Sequence, residues 1–233
     1  SQTSSGNNSN EHLLNLWEVT SGQQLRILQG YTNAVRSVAF NLEQTILASG
    51  GDDSIIRLWD IQSGERIRSL QGHAGHVWQV AFSPSGTLLA SCAEDCSIKL
   101  WDVSSGKCLA TISEHPDLVR TLVFSNDSQL LATGETSKVI KLRDIVTGKC
   151  FRVLQGHTAA ILAIAFSPDD RYIISSSRDK TVKLWDTHTG ECLQTLDSLS
   201  SIVSKVTFMP SQPHIFIGCS GKKIYRWNTK NGE

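Results

Sequence analysis

Two sets of residues in this sequence combine a serine, a histidine and an aspartate, the side chains of a nucleophilic hydrolase site. The first set is Ser91, His73 and Asp95, and the second is Ser175, His157 and Asp179. In a hydrolase the histidine accepts the serine proton and the aspartate orients the histidine. A nucleophile site normally occurs once in a chain, whereas this set recurs with identical internal spacing. The recurrence favours a structural hydrogen-bond network over catalysis.

The recurrence belongs to a repeat that runs through most of the chain. The stretch KLWDVSSGKC at 99–108 returns as KLRDIVTGKC at 141–150 and as KLWDTHTGEC at 183–192, each 42 residues after the last. A tryptophan keeps one register in five repeats: Trp17, Trp59, Trp101, Trp185 and Trp227. Arg143 interrupts the series, and Trp78 lies outside it. Self-similarity at this period is typical of repeat architectures.

Short apolar runs alternate with turn residues inside one period. Over residues 76–112 the runs HVWQVAF, TLLASC, SIKLW and KCLATI predict four strands, and the short connections predict an antiparallel meander. A small sheet cannot bury both faces by itself, so we expect such sheets to stack radially, as in a β-propeller. No window has the 3.6-residue apolar period of a helix, so the expected fold class is all-β.

The residues that flank these strands resemble the WD-repeat (WD40) family over residues 11–230. The resemblance is carried by Gly72-His73 with Trp101-Asp102, and by Gly156-His157 with Trp185-Asp186. It implies a β-propeller of four-stranded antiparallel blades, each held by a hydrogen-bonded tetrad of His, Ser, Asp and Trp. The two complete tetrads are His73, Ser91, Asp95 and Trp101, and His157, Ser175, Asp179 and Trp185.

Three other repeats depart from this tetrad. The first has Tyr31, Ser49, Asp53 and Trp59, so a phenol replaces the imidazole. The third has His115 and Thr133 but Ser137 and Arg143, and the fifth has Leu199, Ile217, Gly221 and Trp227. We therefore expect the third repeat to lack both the carboxylate and the indole, and the fifth to lack three members.

The strand pattern predicts about five blades, four complete and one split or partial. The complete blades are expected at 34–70, 76–112, 118–154 and 160–196, the partial strands at 13–28 and 202–228, and a polar flexible linker at 1–10. Two arrangements of the ends remain open. In the first arrangement the chain is part of a larger propeller, with further blades beyond both ends. In the second, QLRIL at 24–28 completes the last sheet and closes a five-bladed ring.

The resemblance also implies a docking surface, the top face, formed by the loops before the first strands and the turns between the second and third strands. One set of contact positions is Arg36, Trp78, Arg120, Leu162 and Ser204, and the other is Asp52, Glu94, Thr136, Arg178 and Ser220. His76 stands close to Trp78 and extends the patch. Arg and Trp are enriched in interface hot spots, which favours a protein or peptide partner.

Less specific interpretations of these positions stay open. In one interpretation Trp78 packs under its own loop and the arginines are solvated. In another, Asp52 and Glu94 pair with Arg36 or Arg120 across adjacent blades and mask the arginines.

Composition and motifs argue against several other functions. The chain has 22 basic and 22 acidic residues, and the basic residues are dispersed, so we predict neither a nucleic-acid nor a membrane partner. The hydrolase, zincin and dinucleotide motifs GxSxG, HExxH and GxGxxG are missing, and GCSGKK at 218–223 lacks the Walker spacing. We expect a non-enzymatic module with no metal or other cofactor.

Cysteine placement favours a reducing compartment. Cys108, Cys150 and Cys192 hold the same place in successive repeats, too far apart for a disulfide, and no second ligand pair accompanies Cys92 and Cys96. We expect all six cysteines to be reduced, small buried side chains in a cytoplasmic protein.

The regular repeat length suggests the wider setting. Repeats constant in length resemble bacterial, especially cyanobacterial-type, WD40 arrays, which are commonly attached to signalling ATPase or kinase domains. The expected function is therefore a protein–protein interaction scaffold or sensor module within a larger regulatory protein. The alternative is a free-standing scaffold, closed as five blades or self-assembling through open blade edges.

Overall fold

The computed structural model describes residues 12–115, 117–197, 199–209, 212–219 and 224–228, with the backbone alone at 212–219. The linker predicted at 1–10 lies outside the described residues. Every element in the described residues is a β-strand, and the 21 strands form six sheets.

Two strands form the N-terminal sheet and three form the C-terminal sheet. The N-terminal sheet contains β1 (His12–Trp17) and β2 (Gln24–Tyr31). Blade 1 contains β3 (Val35–Phe40), β4 (Ile46–Gly51), β5 (Ile56–Asp60) and β6 (Arg66–Leu70). Blade 2 contains β7 (Val77–Phe82), β8 (Leu88–Ala93), β9 (Ile98–Asp102) and β10 (Cys108–Ile112).

The second half of the chain repeats this plan. Blade 3 contains β11 (Val119–Phe124), β12 (Leu130–Glu135), β13 (Ile140–Asp144) and β14 (Cys150–Leu154). Blade 4 contains β15 (Ile161–Phe166), β16 (Tyr172–Ser177), β17 (Val182–Asp186) and β18 (Cys192–Leu196). The C-terminal sheet contains β19 (Val203–Met209), β20 (Gln212–Cys219) and β21 (Ile224–Asn228).

Each blade is an antiparallel meander whose strands pair in chain order. The first strands of successive sheets contact one another, from β3 through β7, β11 and β15 to β19. These strands therefore lie innermost, around a common axis, and β6, β10, β14 and β18 lie at the outer rim. The predicted all-β propeller of about five blades is confirmed.

The hydrophobic core is divided among the seams between neighbouring sheets. Between blades 1 and 2, for example, Ala48 and Leu58 pack with Val77, Leu89 and Trp101, and the other seams carry equivalent clusters. Burying one large aliphatic side chain stabilises a fold by about 1.5–3 kcal/mol. The seams thus supply the stability that a single four-stranded sheet lacks.

The face of blade 1 that points toward the N-terminal sheet is incompletely covered. Val38 and Phe40 on β3 are 46% and 50% exposed, whereas their counterparts on β11, Leu122 and Phe124, are 0% and 4% exposed. Within the described residues the N-terminal sheet has two strands, and no inner strand of that sheet packs on β3. An apolar strip of blade 1 is left in contact with solvent.

One of the two closure arrangements is wrong for the described residues. In that arrangement QLRIL, the start of β2, would pair with the last sheet. Instead β2 pairs with β1, with Leu28 opposite Leu14 and Ile27 opposite Asn15. The connection between β1 and β2 is short, so the two strands form a hairpin at lower entropic cost than a pairing across the whole chain.

An arginine on the outermost strand bridges three of the seams. Arg26 donates to the Gln62 carbonyl (2.9 Å), Arg68 to the Ser104 carbonyl, and Arg152 to the Thr189 carbonyl (2.7 Å). The same repeat position in blade 2 is Ala110. A cavity of about 340 Å³ lies there, lined by residues that include Ala110 and Gly148. The seam between blades 2 and 3 therefore lacks the outer arginine.

Restoring this arginine should stabilise the chain. We expect Ala110→Arg to raise the free energy of unfolding by about 0.5–1.5 kcal/mol, the net value of one added hydrogen bond. Urea unfolding followed by tryptophan fluorescence measures the change. Leu109→Arg is the matched control, because Leu109 is its neighbour on the same strand, is 59% exposed and does not line the cavity. Equal effects of the two variants would show that the seam is not responsible.

The described cysteines carry free thiols, but they are not all buried as expected. Cys92 is buried, Cys96 and Cys150 are partly exposed, and Cys108 and Cys192 are exposed. Cys108 and Cys192 begin outermost strands, whose outer faces have no neighbour to cover them. The side chain of Cys219 lies outside the described residues.

Candidate functional site

The first Ser–His–Asp set is brought together inside blade 2. His73 Nε2 lies 2.7 Å from Ser91 Oγ, and His73 Nδ1 lies 3.0 Å from Asp95 Oδ2. Trp101 donates its indole N–H to the same Ser91 Oγ at 2.8 Å. Ser91 is 0% exposed, so its hydroxyl is enclosed by its own partners and no substrate reaches it. The set links the loop before β7 to strands β8 and β9.

Blade 4 repeats this geometry. His157 Nε2 lies 2.8 Å from Ser175 Oγ, His157 Nδ1 lies 2.9 Å from Asp179 Oδ2, and Trp185 donates to Ser175 at 2.8 Å. Gly156 precedes the histidine with φ +148°, and a Cβ there would lie 3.3 Å from the Trp185 ring. The backbone conformation and this close approach explain why glycine precedes the histidine in both tetrads.

The ionisation of both tetrads follows from burial and hydrogen bonding. Burial lowers the pKa of His73 and of His157, although the neighbouring aspartates oppose the shift. Burial alone would raise the pKa of Asp95, but hydrogen bonds from the Ala74 N–H, Ser97 and His73 outweigh it and hold the pKa at about 2. A neutral imidazole that donates from Nδ1 to a carboxylate matches both directions.

Blade 1 keeps two tetrad contacts and redirects its aspartate. The Tyr31 hydroxyl donates to Ser49 Oγ at 2.8 Å, and Trp59 donates to the same atom at 2.9 Å. Asp53 instead pairs with the buried Arg57 at 2.7 Å, and the Arg57 guanidinium stacks on the Tyr31 ring at 5.0 Å. A phenol needs no carboxylate to fix a tautomer, so the aspartate is free to neutralise Arg57.

Blade 3 was expected to lack the carboxylate of the tetrad, and this expectation is wrong, because Glu135 supplies one. Glu135, two residues before Ser137, is fully buried and lies 2.7 Å from His115 Nδ1 and 2.8 Å from Lys141 Nζ. Ser137 donates to the other carboxylate oxygen at 2.6 Å. Burial would raise the pKa of Glu135, but hydrogen bonds from His115, Lys141 and Ser137 hold it at about 2. The longer Glu side chain thus reaches the histidine from another position.

The top face contains the predicted contact residues in an unusual backbone setting. Each first strand has a register irregularity that leaves one residue without a direct partner on the second strand, and these residues are Arg36, Trp78, Arg120, Leu162 and Ser204. A β-bulge redirects the side chain of its extra residue. All five residues line one depression of about 360 Å³.

Three of these residues form a stack across three blades, named here the Arg–Trp–Arg surface. The guanidinium carbons of Arg36 and Arg120 each lie 4.8 Å from the Trp78 ring centroid. Trp78 is half-buried and packs on the core cluster between blades 2 and 3. It therefore has a role in packing as well as a place in the depression.

The acidic residues of the predicted patch lie on one side of this surface. Asp52 pairs with Arg36 through both carboxylate oxygens, within blade 1 and not across blades as considered from the sequence. His76 lies between the two acidic residues: its Nδ1 donates to the Asp52 carbonyl at 2.9 Å, and its Nε2 lies 3.4 Å from a Glu94 carboxylate oxygen. Asp52, His76 and Glu94 thus form a connected group.

The opposite side is cationic. Arg120 and Arg178 have no carboxylate within 4 Å among the described side chains, and Lys205, which sequence reasoning did not select, also lines the depression. Lys205 follows the bulge residue Ser204, and no motif in the sequence marks it. Thr136 lies in the equivalent turn of blade 3, and Ser220 lies outside the described residues.

Two further features of the described part of the chain concern metal binding and membrane spans. No group of three or more His, Cys, Asp and Glu side chains is arranged to hold a metal ion among these residues. None of the described residues forms a helix that could cross a bilayer.

Radially stacked four-stranded blades, with recurring Trp-centred hydrogen-bond networks, define a β-propeller repeat protein. The chain belongs to the WD40 family, described as WD domain, G-beta repeat, which matches residues 22–60, 64–102, 106–144 and 148–186. These matches cover more than half of the chain. WD40 repeats generally act as protein-interaction scaffolds. No curated protein sequence matches the chain.

Proposed function

We propose that this chain is a non-enzymatic platform that binds a protein or peptide on its top face, at the Arg–Trp–Arg surface. One observation carries the proposal: five bulge residues from five successive sheets line a single depression. Their side chains come from rigid strands, so the surface is preorganised and loses little conformational entropy when a partner binds.

The composition of this surface fits protein recognition. Trp and Arg are the residues most enriched among interface hot spots, and a stacked Arg–Trp–Arg arrangement combines a flat apolar area with charged edges. The tetrad serines, in contrast, are enclosed by their own partners, so the Ser–His–Asp sets stabilise the blades and do not act as nucleophiles.

A selection experiment tests the proposal. Random peptides displayed on phage are selected on the immobilised protein and then counter-screened on the variant with Trp78→Ala and Arg120→Ala. We expect selected peptides to bind the variant at least about tenfold more weakly, since hot-spot truncations cost 2 kcal/mol or more. Thermal unfolding of the variant should shift by a few degrees only. Peptides that bind both proteins equally would place the binding surface elsewhere.

A second candidate function is self-assembly through open blade edges. It is favoured by the exposed apolar strip on β3 and by a cleft of about 530 Å³ between β1 and β3, which Leu13, Leu14, Val35 and Val38 help to line. Unpaired strands are templates for further pairing. Sedimentation equilibrium distinguishes this candidate, because the mass of a monomer at every concentration would exclude it.

We extend the proposal to the setting of the chain. A larger regulatory protein in the cytoplasm, of the bacterial signalling type, would use such a platform to recognise a partner and relay the event to another domain. The free thiols of the five cysteines with described side chains agree with a reducing compartment. Detection of the array within a longer polypeptide in cell extracts, by an antibody raised against it, tests this setting.

A further inference from the structure

The depression at the top face has an uneven distribution of charge. Among the described residues its lining contains Arg36, Arg120 and Lys205 and no acidic side chain. Arg36 is neutralised by Asp52, whose two oxygens it contacts. Arg120 and Lys205 have no carboxylate within 4 Å among the described side chains. The side toward blade 3 and the C-terminal sheet therefore holds positive charge without a counter-charge.

Arg120 contacts the Trp78 ring as Arg36 does, but it has no carboxylate partner among the described side chains. Its guanidinium carbon lies over the Trp78 ring, 4.8 Å from the ring centroid, and this cation–π contact holds the group at the edge of the depression. Burial lowers the pKa of Arg120, and the positive charges of Arg178 and Arg36 lower it further. A half-buried cation between like charges is destabilised until an anion approaches.

The geometry suits a carboxylate better than a diffuse negative surface. A guanidinium that stacks with its face on an aromatic ring keeps its N–H edge free, and this edge donates two parallel hydrogen bonds to a carboxylate. Lys205, and Arg178 close to Arg120, supply further positive charge around the same point. The residues on the other side, Asp52 and Glu94, would repel an anion and so orient it toward Arg120.

We propose that the depression binds an acidic segment of a partner protein, with an Asp or Glu carboxylate on the N–H edge of Arg120 and neighbouring carboxylates at Lys205 and Arg178. This inference rests on the proposed function and names the chemistry of its ligand. The Trp78 ring would support the aliphatic part of the same segment beside the charged contact.

Fluorescence anisotropy on the full chain tests the inference with a labelled Asp- and Glu-rich peptide. We expect Arg120→Gln to weaken binding at least about tenfold, because a charge-assisted hydrogen bond is lost. Arg120→Lys should recover part of the affinity, since the charge returns without the two-pronged geometry. Arg66→Gln is the control, because Arg66 is an exposed arginine on the outer strand of blade 1. The Arg66→Gln variant should bind the acidic peptide with the same affinity as the unchanged chain.

Further ligands separate the possible sources of negative charge. The counterpart peptide with Asn and Gln should bind at least about tenfold more weakly, by the same loss of charge-assisted bonds. Tighter Arg120-dependent binding of a phosphoserine peptide would overturn the carboxylate assignment and point to a modified segment. Equally tight binding of a single-stranded oligonucleotide of matched charge would overturn recognition of protein altogether.

The two experiments together distinguish a wrong ligand chemistry from a wrong binding surface. If phage selection yields uncharged or basic peptides that require Trp78, the platform stands and the acidic ligand is wrong. If the acidic peptide binds with the same affinity to the unchanged chain and to Arg120→Gln, and no selected peptide requires Trp78, both proposals are wrong. Thermal unfolding of each variant within a few degrees of the unchanged chain excludes misfolding as the cause.

Discussion

Replacing Glu135 by alanine should lower the free energy of unfolding by about 3–5 kcal/mol, the cost of removing one partner from a buried ion pair. The reason is that Glu135 is the counter-charge of Lys141 and accepts a hydrogen bond from His115, so its removal leaves an unpaired cation and a buried N–H without an acceptor. Denaturant unfolding measures the loss.

Ser137→Ala is the matched control for this prediction. Ser137 holds the sequence position of the tetrad aspartate, but its hydroxyl contributes one hydrogen bond to Glu135, for which we expect a loss of about 1 kcal/mol. Similar effects of the two variants would contradict the assignment of Glu135 as the centre of the network.

Acid titration gives an independent signature of Glu135. Its pKa falls from the ordinary value of 4.5 to about 2 in the folded chain, so the folded state favours the ionised form. The associated stability is present above pH 4.5 and is lost as the pH falls toward 2. Glu135→Ala should lack this component of the acid dependence.

Trp101→Ala should cost about 3–5 kcal/mol, the usual cost of removing a large aromatic side chain from a core. Trp101 is 1% exposed, packs in the seam between blades 1 and 2, and donates to Ser91. Its removal leaves both a cavity and a buried hydroxyl without its donor.

The same repeat register supplies the control for Trp101. Trp17 occupies the equivalent position, but it is 57% exposed, and the sheet that contains it has no inner strand in the described part of the chain. Trp17→Ala should change the free energy of unfolding by no more than about 0.5 kcal/mol, as is usual for surface positions. Comparable losses for both variants would mean that the tryptophan register, and not burial in a seam, sets the effect.

The sequence predicted the strands and the two complete tetrads well because both depend on local, repeated patterns. Period-2 alternation and turn residues define each strand. A fixed spacing places Ser91 and Trp101 on neighbouring strands of one sheet and His73 in the loop before β7. The resemblance selected the five bulge positions as one set of contact positions, and they line one depression. Their binding role stays a prediction.

Other features depend on side-chain reach, which spacing does not specify. Glu135 was missed because a carboxylate displaced by two residues breaks the motif while its longer side chain preserves the contact. The pairing of Arg36 with Asp52 within one blade follows from the direction in which the bulge turns Arg36. The arginines at the seams did leave a signal, since Arg26, Arg68 and Arg152 share one register that Ala110 interrupts.

The missing arginine at Ala110 makes the seam between blades 2 and 3 different from its neighbours. Blades 2 and 3 are joined near the axis, where Gln79 exchanges hydrogen bonds with the Leu122 backbone and Arg120 of blade 3 stacks on Trp78 of blade 2. At their outer strands they lack the arginine–carbonyl hydrogen bond that is present in the seams on either side. Any hinge motion between blades 1 and 2 on one side and blades 3 and 4 on the other would thus pivot on Trp78 and Arg120. A ligand bound at these two residues would stiffen the hinge.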